Sequence, residues 1–292
     1  MSTSVKKLVV CGGNGFLGSR ICKAAVSRGW DVTSISRSGE PKWQHVTSSP
    51  SPPPWAHKVA WERADIFSPV QYSPLLKGAD YVVHSMGILL EADYKGVVSG
   101  RESPISGLRK AFSAHSSPNP LEQTITTQTI PPPPPPTSGS QPTYEMMNRD
   151  SAILLAKEAS AQGVSAFGYI SAAGGAPVLP SRYITTKREA EEVIAREFPK
   201  MRGVFFRPPF LYDSSRAFTL PLAAATTAGS VFKRFLPGAV AEFMGSAVVK
   251  PLQADVVAEA VVEALAEDEV SGPVEVPQLE ELAGRGWRKG MV

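Results

Sequence analysis

One stretch near the start, Lys7-Leu-Val-Val-Cys-Gly-Gly-Asn-Gly-Phe-Leu-Gly18, constrains the fold of this chain more than any other. Its apolar run Leu8–Cys11 reads as a buried strand. Glycines follow at 12, 13, 15 and 18, and then an amphipathic run sets Leu17, Ile21, Ala24 and Ala25 on one helical face. Strand, glycine turn and helix, in that order, are the context a dinucleotide-binding turn requires. Gly12 permits the tight turn, Gly15 the approach of a pyrophosphate, and Gly18 the close packing of helix on strand. Gly13, Asn14, Phe16 and Leu17 complete the loop around the phosphates, where free amides and the helix dipole favour negative charge. The spacing is Gly-x-x-Gly-x-x-Gly rather than Gly-x-Gly-x-x-Gly.

The bulk properties narrow the alternatives. A chain of 292 residues, 42% hydrophobic and 20% charged, can bury a large α/β core. A net charge of +3 is too mild to argue for nucleic acid as a partner. The two cysteines, Cys11 and Cys22, fall in the first strand and first helix, where they pack as small hydrophobes and supply neither a disulfide framework nor a metal site. No run of eighteen apolar residues appears, so no transmembrane helix is expected. The first strand begins so early that an Arg-rich transit helix before it is not expected either.

Proline is unusually frequent, at 27 residues. Much of it lies in Ser48–Trp55 and in Pro131–Pro136, the latter within a Ser/Thr/Gln/Pro-rich tract at about 113–142. That tract cannot bury enough apolar surface to offset its ordering entropy and reads as a low-complexity insertion with polyproline character. A passive surface loop is the simpler reading, a proline-recognition ligand the sharper one.

Asp31–Ser36 is the second strand, and its carboxyl end distinguishes the two nicotinamide dinucleotides. An NAD(H) site places an acid there for the ribose 2′-hydroxyl. This chain has Ser36-Arg37-Ser38, a hydroxyl and a guanidinium suited to a 2′-phosphate, so NADP(H) is favoured over NAD(H). Val59–Ala64 makes the third strand, followed by Asp65-Ile66 at the adenine edge. A helix is expected over Pro69–Lys77, then a central strand at Tyr81–Ser85 leading into Met86-Gly87. Ser85, Met86 and Gly87 should line the nicotinamide ribose, because ligands of such sheets sit beyond the strand carboxyl ends. His84, inside so apolar a run, reads as a core histidine rather than an acid/base. A helix over Tyr144–Ala161 should bury Met147, Ile153, Leu154 and Ala156; Asn148 on it is either an exposed polar residue or a site asparagine.

The chemistry falls later. Ala166–Ile170 is the fifth strand and ends at Ser171. Twelve residues on comes Tyr183-Ile-Thr-Thr-Lys187, whose tyrosine and lysine share a helical face. An ammonium close to a phenol stabilises phenolate, making proton exchange with a carbonyl or alcohol feasible. Ser171 could hold the substrate oxygen, and Lys187 the nicotinamide ribose. Alternatively, Tyr183 packs and Lys187 only grips the ribose, which would give a nucleotide-bound protein without turnover.

These motifs resemble the short-chain dehydrogenase/reductase superfamily, in its extended and atypical branches. Val204-Phe-Phe-Arg-Pro-Pro-Phe-Leu-Tyr212 resembles the sixth strand of those branches, with Pro208 on the cofactor side, and Lys250-Pro-Leu-Gln-Ala-Asp-Val-Val-Ala258 resembles their later segment. A narrower set carries a further resemblance: the glycine turn, Ser36-Arg-Ser-Gly39, Val82–Glu91, Thr143–Asn148 and Lys187-Arg-Glu-Ala-Glu191. It is similar to the fungal mitochondrial Rossmann proteins associated with coenzyme Q biosynthesis, themselves similar to the Rossmann accessory subunit of respiratory complex I. The resemblance implies a matrix-side mitochondrial location rather than a cytoplasmic one, and a protein complex at the inner membrane. It also implies a hydrophobic substrate of the polyprenylated quinone-precursor kind, or a non-catalytic assembly role.

The fold class read from the whole chain is α/β, a doubly wound parallel sheet forming a single domain, with residues 208–292 contributing a small C-terminal substrate lobe. Within it, Val231–Gly238 alternates aromatics with two cations. Ala254–Ala266 is a clear amphipathic helix, Val274–Val276 an edge strand, and Gly284–Gly290 a frayed basic tail.

Overall fold

The computed structural model describes residues 5–47, 49–87, 143–174, 181–213 and 251–290. The expected insertion at 113–142 and the Val231–Gly238 run lie outside the described residues.

Among the described residues a seven-stranded parallel sheet runs β3-β2-β1-β4-β5-β6-β9, as expected for a doubly wound fold. The strands are β1 (Lys7–Cys11), β2 (Asp31–Ser36), β3 (Val59–Arg63), β4 (Tyr81–His84), β5 (Ala166–Ile170), β6 (Arg202–Phe206) and β9 (Gly272–Val274). A separate parallel pair joins β7 (Leu211–Tyr212) to β8 (Leu252–Gln253). The order reverses between β1 and β4, and the crevice beyond that switch point is where a ligand of such a sheet sits.

Alternation along each strand feeds two apolar cores. On one face Leu8, Val10, Tyr81, Val83, Ala166, Ile170, Val204 and Phe206 meet α1 (Phe16–Ser27), α5 (Ala254–Ala266) and α6 (Val276–Gly290). On the other face Val9, Cys11, Val82, Phe167, Tyr169 and Phe205 meet α2 (Pro69–Tyr72), α3 (Ser151–Ala161) and α4 (Ser181–Glu197). Residues 251–290 of the expected C-terminal lobe thus return to the central sheet; 214–250 lie outside the described residues. Burial pushes both thiols, Cys11 and Cys22, well up from their ordinary range, consistent with packing roles.

Several expectations are corrected. The helix expected over Pro69–Lys77 is one α-turn followed by a 3-10 turn, Ser73–Leu76, because Pro74 has no amide to continue the ladder. The helix over Tyr144–Ala161 begins with a π-helical turn, Glu145–Asp150. That turn rotates the buried face onto Asn148, Ser151, Ala152, Leu155, Ala156 and Ala159, leaving Met147, Ile153 and Leu154 half-buried. The edge strand is shifted back to Gly272–Val274.

The tail expected to fray is the helix α6, which buries Leu279, Leu282 and Ala283 against α5. Gly286 lies against the tip of Arg28, whose Nη2 would be 2.4 Å from a Cβ at this position, so a side chain there would displace the arginine. Arg28 in turn donates to the buried Glu263, which Lys289 also reaches from α6. These cations hold the Glu263 carboxyl below its usual range despite its burial.

Candidate functional site

The glycine turn is built by four different constraints. Gly12 has φ +85°, and a Cβ on it would lie 2.8 Å from Met86 Cγ. A Cβ on Gly13 would lie 2.4 Å from Ser34 Oγ, and one on Gly18 2.2 Å from the Gly12 carbonyl oxygen. These three glycines are therefore required by the protein's own packing. Gly15 is different. It has extended backbone, φ −82° and ψ 177°, and its Cβ would meet only the Gly12 carbonyl at 3.1 Å. Of the four glycines, Gly15 is the least constrained by the protein's own packing, although that backbone contact is tight.

Gly15 is also the N-cap of α1. Among the described residues no side chain caps that helix and no acid sits in its first turn, which leaves the positive end of its dipole without a fixed countercharge there. Leu17 is buried beneath the turn, and the Phe16 ring stacks under the Arg20 guanidinium at 4.3 Å. These observations fit a pyrophosphate.

At the adenosine end, Asn14 Nδ2 donates to Ser38 Oγ at 2.7 Å, and Ser36 Oγ donates to the Gly39 carbonyl at 2.9 Å. Ser36 thus closes the turn after β2, and the exposed Arg37 is left to reach solvent. The nearest acid along the chain, Glu40, accepts from Trp43 Nε1. Trp43 itself packs edge-on against Trp55, at the end of the first proline patch, and against Trp61. Asp65 Oδ1 accepts from the Phe67 amide at 3.0 Å, and Ile66 is buried in the core.

The residues expected to face the nicotinamide lie at the carboxyl ends of β4 and β5. Met86 Sδ accepts from Cys11 Sγ, and the Ser85 hydroxyl is buried with no protein partner. A Cβ on Gly87 would lie 2.9 Å from Asn148 Oδ1 and 3.6 Å from Lys187 Nζ. The structure therefore gathers Gly87, Asn148 and Lys187, and resolves Asn148 as a buried residue facing that group. The π-helical turn presents it: Tyr169 Oη donates to the Asn148 carbonyl, and Ser151 Oγ to the Met147 carbonyl at 2.9 Å. His84 is wholly buried, its Nε2 is 2.8 Å from Ser151 Oγ, and burial pulls it down to about 3. It is a core residue of this block. No pattern in the sequence marks the π-turn or its partners.

Lys187 is buried against β5 and donates to the Ile170 carbonyl at 2.8 Å. Its ammonium lies 5.5 Å from the Tyr183 ring centroid and 5.1 Å from that of Tyr169. The sequence expectation that Lys187 lowers the tyrosine pKa is not seen in this arrangement. Burial, with Tyr144 adding to it, pushes Tyr183 up to about 12. Burial pulls Lys187 down to about 7; Glu191 opposes that fall and Arg188 adds to it.

Ser171 is committed elsewhere. Its hydroxyl donates to Glu191 Oε1 and accepts from Arg188 Nη1 at 2.9 Å. Glu191 is buried and also receives Arg188 and Arg207, while Arg207 reaches on to Glu275. Pro208 is buried, and its carbonyl accepts the Ala173 amide at 2.8 Å, tying the exits of β5 and β6 together. Neither Glu191 nor Arg207 was marked by sequence reasoning. The available signal was Glu191 four residues after Lys187, on the same helical face.

The depressed lysine carries a pH prediction. An unfolded lysine titrates near 10.5, so between about pH 7 and 10.5 the unfolded chain binds more protons, and this group's contribution to stability is lost as pH falls through that window. Lys187→Met should flatten this slope and raise the stability of the cofactor-free protein at pH 7 by about 1 kcal/mol or more. Denaturant unfolding at pH 7, 8 and 9 measures it; an unchanged slope would show that the amine is not desolvated.

A parallel sheet with a glycine cradle at its switch point, and a Tyr-x-x-x-Lys pair beside the next strand end, defines a Rossmann protein of the short-chain dehydrogenase/reductase kind. The model of the NAD dependent epimerase/dehydratase family matches residues 8–93. A Saccharomyces cerevisiae protein, MIOREX complex component 2, is 39% identical over 225 residues, covering 73% of this chain and 75% of that protein. The chain belongs to this NAD-dependent epimerase and short-chain dehydrogenase/reductase family. An uncharacterized chloroplastic protein of Arabidopsis thaliana is 25% identical over 292 residues, covering 96% of this chain and 78% of its own.

Among solved structures, UDP-glucuronic acid 4-epimerase from Bacillus cereus in complex with NAD has a TM-score of 0.54 at 15% identity, covering 92% of this chain and 76% of that one. A short-chain dehydrogenase/reductase family oxidoreductase from Burkholderia thailandensis has a TM-score of 0.53 at 13% identity, covering 93% and 90%. At such identities the likeness concerns the fold. Among the described residues no helix is long and apolar enough to cross a membrane, and no group of three or more His, Cys, Asp or Glu could hold a metal ion.

Proposed function

We propose that this protein is an NADP(H)-dependent reductase of a hydrophobic carbonyl, acting in or beside quinone-ring modification at the matrix side of the mitochondrial inner membrane. The observation that carries the chemistry is Lys187, placed beside Gly87 and Asn148 with the Tyr183 ring 5.5 Å from its ammonium, in the sheet that also carries the glycine turn. Bound dinucleotide supplies the hydride. Tyr183 supplies the proton: with its phenol at about 12 it is protonated at neutral pH, the form that donates to a carbonyl oxygen. Lys187, held on the Ile170 carbonyl, reaches the ribose. Ser171 has already given its proton to Glu191, so towards the reacting oxygen it can act only as an acceptor, which suits the alcohol product better than the carbonyl.

The quinone assignment and the location rest on the resemblance drawn from the sequence. The yeast relative's membership of a named complex supports an assembly context. That membership, together with the engaged Ser171 hydroxyl, also supports a second reading, a nucleotide-bound subunit without turnover.

Gly15→Trp separates nucleotide dependence from mere folding. Its φ and ψ suit any residue and a Cβ there meets only the Gly12 carbonyl, so a variant whose melt stays native-like should lose dinucleotide affinity by about a hundredfold or more. Fluorescence titration with NADPH and a thermal melt check the two halves. In cells lacking the native protein, full restoration of quinone levels by this variant would sink any nucleotide-dependent role.

A further inference from the structure

The sequence rule for choosing between NAD(H) and NADP(H) looks only at the end of β2. We infer that a second arginine, Arg63 at the end of β3, completes the 2′-phosphate site with Arg37; this rests on the NADP(H) reading above.

The parallel register pairs Arg63 with Ser36, so both residues leave the sheet side by side. The turn after β2 is held rigidly. Ser36 Oγ donates to the Gly39 carbonyl, the Ala64 amide donates to the Ser36 carbonyl at 3.1 Å, and Asn14 ties Ser38 to the glycine loop. Gly39 has φ +72°, a conformation glycine adopts freely. Its missing side chain does a second thing. A Cβ at position 39 would lie 3.0 Å from Arg63 Cγ, 3.3 Å from Nε and 3.7 Å from Cδ, so the arginine stem lies flat across the turn through the space glycine leaves.

A surface arginine is ordinarily mobile and often paired. Arg63 is exposed yet packed along its stem, and neither it nor the exposed Arg37 forms an ion pair with a described residue. Neither nearby acid pairs with them among the described residues: Glu40 keeps its charge but is turned toward Trp43 Nε1, and Glu62 precedes Arg63 on the opposite side of the pleat. Two unpaired guanidinium groups therefore flank a turn braced to the phosphate-binding loop. A phosphate dianion is the group that two planar five-donor forks match, and holding one stem in place beforehand lowers the entropy lost on binding it.

The test is titration of the intact protein with NADPH, NADH, 2′,5′-ADP and 5′-AMP, followed by nicotinamide fluorescence or calorimetry. Arg63→Ala should weaken NADPH and 2′,5′-ADP by about tenfold or more while NADH and 5′-AMP stay within about twofold. Arg63→Lys, which keeps charge but loses the fork, should fall between, and Arg37→Ala/Arg63→Ala should bind the four probes without preference for the 2′-phosphate. Equal losses for NADPH and NADH would mean that Arg63 stacks on adenine, and would overturn the proposal. So would an unchanged NADPH affinity in Arg63→Ala while Arg37→Ala alone abolishes the preference, an outcome that leaves the NADP(H) reading intact. A native protein without preference for NADPH over NADH overturns both.

Discussion

Tyr183→Phe is expected to cut turnover by about a hundredfold to ten-thousandfold, the usual contribution of a positioned acid, while leaving NADPH affinity nearly unchanged. The substitution deletes the hydroxyl alone. The ring that remains still packs edge-on against Tyr144, at 5.9 Å between centroids, and still lies near the Lys187 ammonium, so neither the fold nor the position of Lys187 is disturbed. The measurement is quinone and its intermediates in cells lacking the native protein and carrying the variant, alongside NADPH titration of the purified protein. Full rescue removes the catalytic reading and leaves the nucleotide-bound subunit. Failure of Gly15→Trp together with success of Tyr183→Phe identifies a scaffold that must hold its dinucleotide but does not use it.

Glu191→Ala should lower unfolding stability by about 3–5 kcal/mol, because it strips the counter-charge from two partly buried arginines at once. Glu191 is 4% exposed, and its carboxylate takes Ser171, Arg188 and Arg207. Arg207 is the group that gains most: hydrogen bonding to Glu191 is the main reason its pKa is raised. The loss is read by denaturant unfolding. A change under about 1 kcal/mol would show that water or Glu275 replaces the lost carboxylate. The same variant also removes the charge that opposes the fall in Lys187, so any surviving activity should have its lysine-dependent pH limb moved to lower pH. A purely structural Glu191 would not move that limb.

Legibility followed the range of the interactions. The first β-α unit was readable because each constraint on it is local: an apolar strand, glycines that only a turn explains, and a helical apolar face within eleven residues. β2 and β5 appeared with their expected bounds for a similar reason: β2 follows the helix-ending Gly29 and stops at the Ser36–Gly39 turn, and β5 is a short, largely apolar run that ends at Ser171. Pro74 was visible but underweighted, and it broke the helix expected around it. Gly284 and Gly286 suggested fraying, whereas the helix they lie in packs on α5 with Gly286 against the tip of Arg28. The Lys187-Arg-Glu-Ala-Glu191 run entered the sequence reading only through its resemblance; its arginine and second glutamate belong to a cluster with Ser171 and Arg207.

By itself the sequence determined the α/β class, the dinucleotide cradle and the Tyr183–Lys187 pair, because strand period, glycine spacing and i,i+4 geometry are properties of neighbouring residues. Only the tertiary structure decided which way the polar groups face. It committed the Ser171 hydroxyl to Glu191, turned Asn148 toward Gly87 through a π-helical turn that Tyr169 secures, and laid Arg63 across Gly39. Each of these depends on a partner brought in from another strand or helix, and a buried polar group takes whichever partner the packing supplies. That choice has no local signature along the chain.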